Sequence, residues 1–335
     1  MPCSKKTIRT LIGILVIFLL VLLASCGIAN DTTKENQENK VNDEVSDNKI
    51  IIDNLDQTLM LNEIPKRVVT MNQHVTEIML ALGLENTMIG TAYLDDEILP
   101  EFQEQYNEIP VLSDKYPSKE VFLDKSPDFV YGGWSSAFND ESIGSIESLD
   151  KLGINAYLQE SSNIVGPKKE DVYSDIRNIA KIFHVEERAE DIINSIDEEI
   201  EDIQTKLGEI EEPLKVFVYD SGEDSPLTAT QNFMTELISL SGGENIFSDI
   251  DKNWANVNWE EVVNRDPDVI VIIDYGEISI EDKKSYLLNN ESLQDVKAIK
   301  EENFAILPLS AASEGIRIPI AVRTLAESFY PEKFN

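Results

Sequence analysis

The sequence predicts an α/β protein of two lobes joined by a single long helix, and three observations carry that reading. First, Ala189, Ile192, Ile193, Ile196, Ile200, Ile203 and Leu207 recur at steps of three and four. Glu186, Glu190, Asp191, Asp197, Glu198, Glu201 and Asp202 fill the other faces of the same stretch, 185–207. This is one buried stripe on an otherwise solvated helix. Gly208 follows as a C-terminal cap and Pro213 forbids resumption, so the helix runs for about 23 residues, or roughly 35 Å. Second, the chain repeats a unit on either side of this helix. Ser118-Lys119-Glu120-Val121-Phe122-Leu123 precedes Pro127-Asp128-Phe129-Val130-Tyr131-Gly132, and Asn258-Trp259-Glu260-Glu261-Val262-Val263 precedes Pro267-Asp268-Val269-Ile270-Val271-Ile272. Each copy reads as a short capped helix, a Pro-Asp turn and a buried strand. Third, 335 residues of which 42% are hydrophobic can bury two ordinary cores.

The first residues form a leader. Lys5, Lys6 and Arg9 make a basic start, Leu11 to Leu23 is uninterruptedly apolar, and Leu23-Ala24-Ser25-Cys26 sets small residues before a cysteine. The apolar run is shorter than the ~20 residues a bilayer span needs. The pattern resembles a bacterial lipoprotein signal, which implies cleavage after residue 25 and lipidation of Cys26, with the lipid chains holding the protein at the membrane surface. Cys3 would leave with the signal at 1–25, so the mature chain could form no internal disulfide. The formal charge of -35 becomes -38 once the three basic leader residues are removed, which argues against nucleic acid as a partner. Residues 26–48 are polar and charged with little apolar content, and read as a tether.

From Lys49 the first lobe (49–168) begins with Ile50-Ile51-Ile52, a turn at Asp53-Asn54, and Thr58-Leu59-Met60-Leu61, a hairpin. Pro65-Lys66-Arg67-Val68-Val69-Thr70 enters the first parallel strand, Met71-Asn72-Gln73-His74 is its following loop, and Thr76 to Leu84 is a helix ended by Gly83. Thr87 to Tyr93 repeats the pattern. Open α/β sheets bind ligands at the carboxyl ends of their strands, which makes these loops the candidate ligand surface. Tyr116, Trp134-Ser135-Ser136 and Glu160-Ser161-Ser162 continue it. Gly132-Gly133 before Trp134 places that indole in a loop, where a flat aromatic can stack on a bulky ligand.

The order of leader, tether, hairpin, Pro-Lys-Arg-Val-Val, Thr-Glu-Ile-Met-Leu-Ala-Leu-Gly, Pro-Ser-Lys-Glu, Ser-Pro-Asp-Phe-Val-Tyr and a long mid-chain helix resembles the substrate-binding lipoproteins of ABC importers for iron-siderophore complexes and cobalamin. The similarity runs from Lys49 to Asn335. The resemblance implies two Rossmann-like lobes joined by one rigid helix, with the ligand in the cleft between them. It also implies a monomer on the outer face of the cytoplasmic membrane that hands its ligand to an ABC permease.

Beyond the first lobe, residues 169–208 hold the linker helices. Val172, Ile176, Ile179, Ala180 and Phe183 form a helical stripe that packs on the first lobe, and His184 at the junction reads as a capping or surface histidine. The second lobe (209–335) opens with the strand Lys215 to Tyr219 and its loop Asp220 to Asp224. It continues with the helix Phe233 to Leu240 and a Gly-Gly-Glu-Asn-Ile-Phe run at 242–247. Val269 to Ile273, followed by Asp274-Tyr275-Gly276-Glu277, is its strongest strand. Phe304 to Pro308 is the last strand, Ala311 to Arg317 the last cleft loop, and Ile318 to Phe329 the terminal helix.

Catalytic patterns are absent from the sequence. It has no Gly-x-Ser-x-Gly, Ser221 beside Asp220 reads as turn chemistry, and the Gly-rich phosphate motifs are missing. His74 and His184 are the only histidines, too few for the zinc or manganese clusters of a related group of binding proteins. The reading is therefore a binding protein, not an enzyme, with no cofactor or resident metal. Its candidate cleft residues are His74, Tyr93, Tyr116, Trp134, Ser135, Tyr219, Tyr275 and Arg317. A ferric siderophore is the expected ligand, cobalamin or another bulky cofactor the alternative, and a surface adhesin that keeps only the fold is the alternative of another class. Glu120 and Glu260 follow capping residues by two positions, where a carboxylate offsets the helix dipole by about 0.3–1 kcal/mol. The resemblance gives them a second role, docking to permease arginines.

The charge sets a tension, because many ferric siderophores are anionic and a polyanion repels them, within the ~8 Å that salt leaves unscreened. Arg317 is the expected cleft cation, and Arg67 reads as structural. Asp95, Asp96, Glu223, Asp224, Glu277 and Glu314 near strand ends favour a neutral or cationic ligand instead. One helix as the link between lobes predicts little hinge closure, since bending it would break its hydrogen bonds.

Overall fold

Strand-forming stretches of Val, Ile, Phe and Tyr, buried on both faces, make parallel sheets covered by helices. In the computed structural model, which describes residues 49–335, they build two such sheets. The hairpin comes first, β1 (Ile50–Asn54) against β2 (Gln57–Leu61), with its turn at Leu55-Asp56. Asp53 and Asn54, expected in the turn, are instead the last paired residues of β1, and Asn54 spends its amide on the backbone of Leu158.

The first lobe holds β3 (Val68–Met71), β4 (Met88–Ala92), β5 (Val111–Ser113), β6 (Phe129–Gly132) and β7 (Asn155–Leu158), all parallel, in the order β5-β4-β3-β6-β7. The second holds β8 (Leu214–Tyr219), β10 (Gly243–Asn245), β12 (Val269–Asp274) and β13 (Phe304–Pro308) in the order β10-β8-β12-β13, also parallel. A small antiparallel pair, β9 (Leu227–Ala229) with β11 (Trp254–Asn256), is an addition the sequence reading did not anticipate.

The repeated Pro-Asp unit performs the same task twice. Asp128, just before β6, accepts the backbone N–H groups of Lys66 and Arg67, which lead into β3. Asp268, just before β12, accepts that of Lys215 in β8. In each sheet one carboxylate fixes where two central strands begin, so the motif sets strand register. Ser118 and Asn258 cap the short helices ahead of these strands by accepting the N–H of Val121 and Glu261, and they leave Glu120 and Glu260 exposed in the first turns.

The crossing helix spans Glu186–Leu207, 22 residues, and buries Ala189, Ile193, Ile196, Ile200, Ile203 and Leu207. Ile192 is half-buried on the edge of this stripe. Its first part belongs to the first lobe: Arg188 donates to the carbonyls of Leu82 and Gly83, and Asp197 accepts from Lys169 and Tyr173 of the preceding helix Lys169–Phe183. Its far end belongs to the second lobe, where Asp202 faces Arg323 at 3.8 Å and the carbonyl of Leu207 accepts from Lys333. The helix stops at Gly208, whose φ of +63° a side chain would resist. His184 caps the helix before it in the left-handed region, and Phe183 packs edge-on against Phe129, seating that helix on the first lobe.

Candidate functional site

The strand orders locate the site. In the first sheet the chain leaves β3 toward β4 on one side and returns as β6 on the other, and in the second β8 and β12 flank the corresponding switch. The crevice beyond the carboxyl ends of such strands is where open α/β sheets take ligands. Trp134 follows β6, Asp220 follows β8 and Tyr275 follows β12, and all three line one cavity of about 540 Å³. Ser135, Ser162 and Asn163 complete its first-lobe side. Asn232, Trp254, Leu309 and Glu314 are among the second-lobe residues. The cavity thus lies between the lobes. A hollow of about 590 Å³ under the hairpin is lined by β1–β2 turn residues, β7 and the helix Ile146–Asp150, away from both switch points.

Trp134 is held from behind. Asn72, the residue after β3, is buried at φ +86° and ψ 150°, a strained conformation that normally only glycine adopts. Its side chain bonds Tyr116 and accepts the N–H of Trp134. His74 packs beneath the indole with ring centroids 5.0 Å apart, and a Cβ on Gly133 would come within 2.3 Å of the imidazole. Glycine at 133 is therefore required for the indole to lie over the histidine.

His74 itself is not a loop residue. The helix begins at Gln73, earlier than expected, and His74 is 2% exposed in its first turn. Burial lowers its pKa from 6.5 to about 3, so it is neutral, and its Nε2 lies 3.3 Å from Ser162 Oγ. Tyr93 and Tyr116 stack edge to face at 4.6 Å and line a neighbouring hollow of about 380 Å³ that shares Trp134 as its wall. Lys115, the one basic residue lining that hollow, lies over the Tyr93 ring.

The second-lobe residues divide. Tyr275 faces the cavity and donates its hydroxyl to Asp220 at 2.7 Å. Tyr219 is buried instead, packed against Phe217, Trp259 and Tyr286, and burial pushes its phenol up to about 12. The inward period of β8 decides this: Tyr219 is part of the second core while the next residue, Asp220, reaches the cleft. Arg317, expected as the cleft cation, is corrected too. The expected loop Ala311–Arg317 is partly helical, Leu309–Ala312, and Arg317 sits at the cap of the helix Ile318–Phe329, 8% exposed. Its guanidinium is consumed by Glu77, Ser310 and the carbonyl of Glu97.

Glu314, expected among the acids near strand ends, does reach the cavity. It is 8% exposed, lines the cavity, and accepts Ser162 Oγ across the lobes at 2.9 Å. Burial raises its pKa from 4.5 to about 7. The carbonyl of the same residue accepts Gln159 Nε2. None of the residues lining the cavity is lysine or arginine, while Asp220 and Glu314 both are acids. The cavity lining thus offers aromatic walls and no counterion to an anion.

Comparison with known proteins agrees with this architecture. The family model described as periplasmic binding protein matches residues 68–311. A periplasmic binding protein of Veillonella parvula, known by crystal structure, is 34% identical, with 82% of this chain and 94% of that one covered at a TM-score of 0.77. An uncharacterized ABC transporter substrate-binding lipoprotein of Bacillus subtilis, YvrC, is 26% identical over 320 residues, covering 94% of this chain and 95% of that protein. A vitamin B12-binding protein of Vibrio parahaemolyticus is 23% identical over 212 residues, covering 63% and 72%.

Proposed function

Since the chain belongs to the periplasmic binding protein family, we propose that it is the ligand-capturing lipoprotein of an ABC importer, and that its cargo is a bulky ferric siderophore of neutral or positive charge. The observation that carries the charge is the cleft itself, which sets Trp134 and Tyr275 beside two carboxyl groups and no basic residue. Three singly charged hydroxamates neutralise ferric iron, whereas three catecholates leave the complex strongly anionic. Burying that anion beside Asp220 and Glu314 would be costly. Hydroxamate-type complexes fit the reading and tris-catecholates oppose it. Cobalamin is the second reading, favoured by the similarity to vitamin B12-binding proteins.

In this proposal the protein acts by capture and delivery, as a monomer tethered through Cys26, which lies with the rest of the leader and tether outside the described residues. Exposed Glu120 and Glu260, at equivalent places on the two lobes, are proposed to dock on the permease. The test is a titration of the purified protein with a ferric trihydroxamate, a ferric triscatecholate and cobalamin, followed by tryptophan fluorescence. Tight binding of the trihydroxamate and weak binding of the triscatecholate supports the proposal. Preferential cobalamin binding selects the second reading. No response to any of them, with unchanged iron-complex uptake after gene deletion, would favour an adhesin.

A further inference from the structure

Two carboxyl groups face the same cavity in different company. Asp220 accepts the hydroxyls of Tyr275 and Ser221, and the buried ammonium of Lys283 lies behind it, 4.7 Å over the Tyr275 ring. Its charge is already provided for. Glu314 has no such provision. The only side chain that donates to it is Ser162, on Oε2, and no lysine or arginine among the described residues acts on it. The charged group that acts on it is negative, Asp175 from the helix Lys169–Phe183; Asp220 lines the same cavity, and His74 reaches only the same serine while neutral.

A nearly buried carboxyl held only by its own backbone N–H and one serine hydroxyl, with no cation, is costly to keep ionised unless something else completes it. Either a proton completes it or a cation does, and a cation can reach it through the cavity that Glu314 lines. Trp134 and Tyr275 line the same cavity, and aromatic rings attract an ammonium or guanidinium placed over them, as Lys283 already is on one face of Tyr275.

We propose that Glu314, with Trp134 and Tyr275 as walls, is a subsite for an organic cation, an ammonium or guanidinium group carried by the ligand outside its metal-chelating part. This deepens the capture role proposed above and rests on it: Glu314 becomes the residue that selects among chelates by charge.

The experiment compares two ferric trihydroxamates with the same chelating groups, one neutral and one bearing a free ammonium, by calorimetric titration at pH 8. Wild type is expected to prefer the ammonium-bearing complex by roughly tenfold or more. In Glu314→Gln, which keeps an acceptor for Ser162, the ratio of the two affinities falls to near one, and in Glu314→Lys it inverts. An unchanged ratio in Glu314→Gln, or a ratio of one in wild type, overturns the subsite. A second probe keeps this separate from the siderophore reading. Benzylguanidinium, which carries the cation without a chelate, should quench the cleft tryptophans of wild type but not of Glu314→Gln. If it does so while neither chelate binds, the siderophore reading fails and the subsite stands. If it does not, and no charge preference is found, the subsite is wrong.

Discussion

Arg317 grips Glu77 across the two lobes through a paired contact, Nε to Oε2 at 2.8 Å and Nη2 to Oε1 at 2.5 Å, with the two side chains only 10% and 1% exposed. Around it Glu77 also accepts the N–H of Leu99, Gln73 accepts those of Asp95 and Asp96, and Ser310 bonds both Asp96 and the guanidinium. This polar node joins the helix Gln73–Ala81 to the loop after β4 and to the last segment of the second lobe.

Removing one partner of such a pair leaves an uncompensated buried charge. Glu77→Leu and Arg317→Met should each lower stability by about 3–5 kcal/mol, while the double variant should recover most of the loss because an apolar pair of similar size needs no counterion. Denaturant unfolding of the three variants measures this. Additive losses in the double variant would mean that the two residues act independently.

The lobes should hold their angle when ligand binds. Besides the crossing helix and the Arg317–Glu77 pair, they are tied by Asn253 to the carbonyl of Ile164, by Gly166 N–H to the carbonyl of Gln231, and by Gln159 and Ser162 to Glu314. Ties on several sides of the cavity resist both hinge and shear. Scattering profiles with and without the bound trihydroxamate are expected to superimpose. A marked fall in radius of gyration would contradict this.

Docking predicts a division of effects. Glu120→Ala and Glu260→Ala should each slow transporter-dependent uptake several-fold, and the pair by roughly tenfold or more, with ligand affinity unchanged. Stability should fall by no more than about 1 kcal/mol per site, the value of a carboxylate at a helix start. Normal uptake by the double variant would reduce both glutamates to helix caps.

The pH dependence follows from Glu314. Its pKa is raised from 4.5 to about 7 on folding, so the folded protein holds a proton that the unfolded chain releases, and the stability from this group is full below about 4.5 and lost as pH rises through about 7. Asp175, raised by burial from 3.8 to about 6, acts in the same direction, and His74, lowered from 6.5 to about 3, acts oppositely, its contribution being lost as pH falls. Glu314→Gln removes only the first. The unfolding free energies of variant and wild type should therefore agree near pH 4 and diverge toward pH 8 in favour of the variant, by at most about 3 kcal/mol. Parallel curves across that range would show that Glu314 does not titrate there.

Much of this molecule was determined by local sequence. The stripe from Ala189 to Leu207 could only be a one-sided helix, the runs at Val68, Phe129, Val216 and Val269 could only be buried strands, and the Pro-Asp repeat marked two matching units, because periodicity and turn chemistry act between near neighbours. Trp134 was legible for the same reason, as glycines before it and serines after it placed it at a strand end. What tertiary structure decided was the company each polar side chain keeps. Arg317 lies 240 positions from Glu77, and Glu314 lies 152 from Ser162, so no spacing rule brings either pair together. Burial then settled the roles: it locked Arg317 into the fold, hid His74 and Tyr219, and left Glu314 as the carboxyl that faces the cleft without a cation of its own.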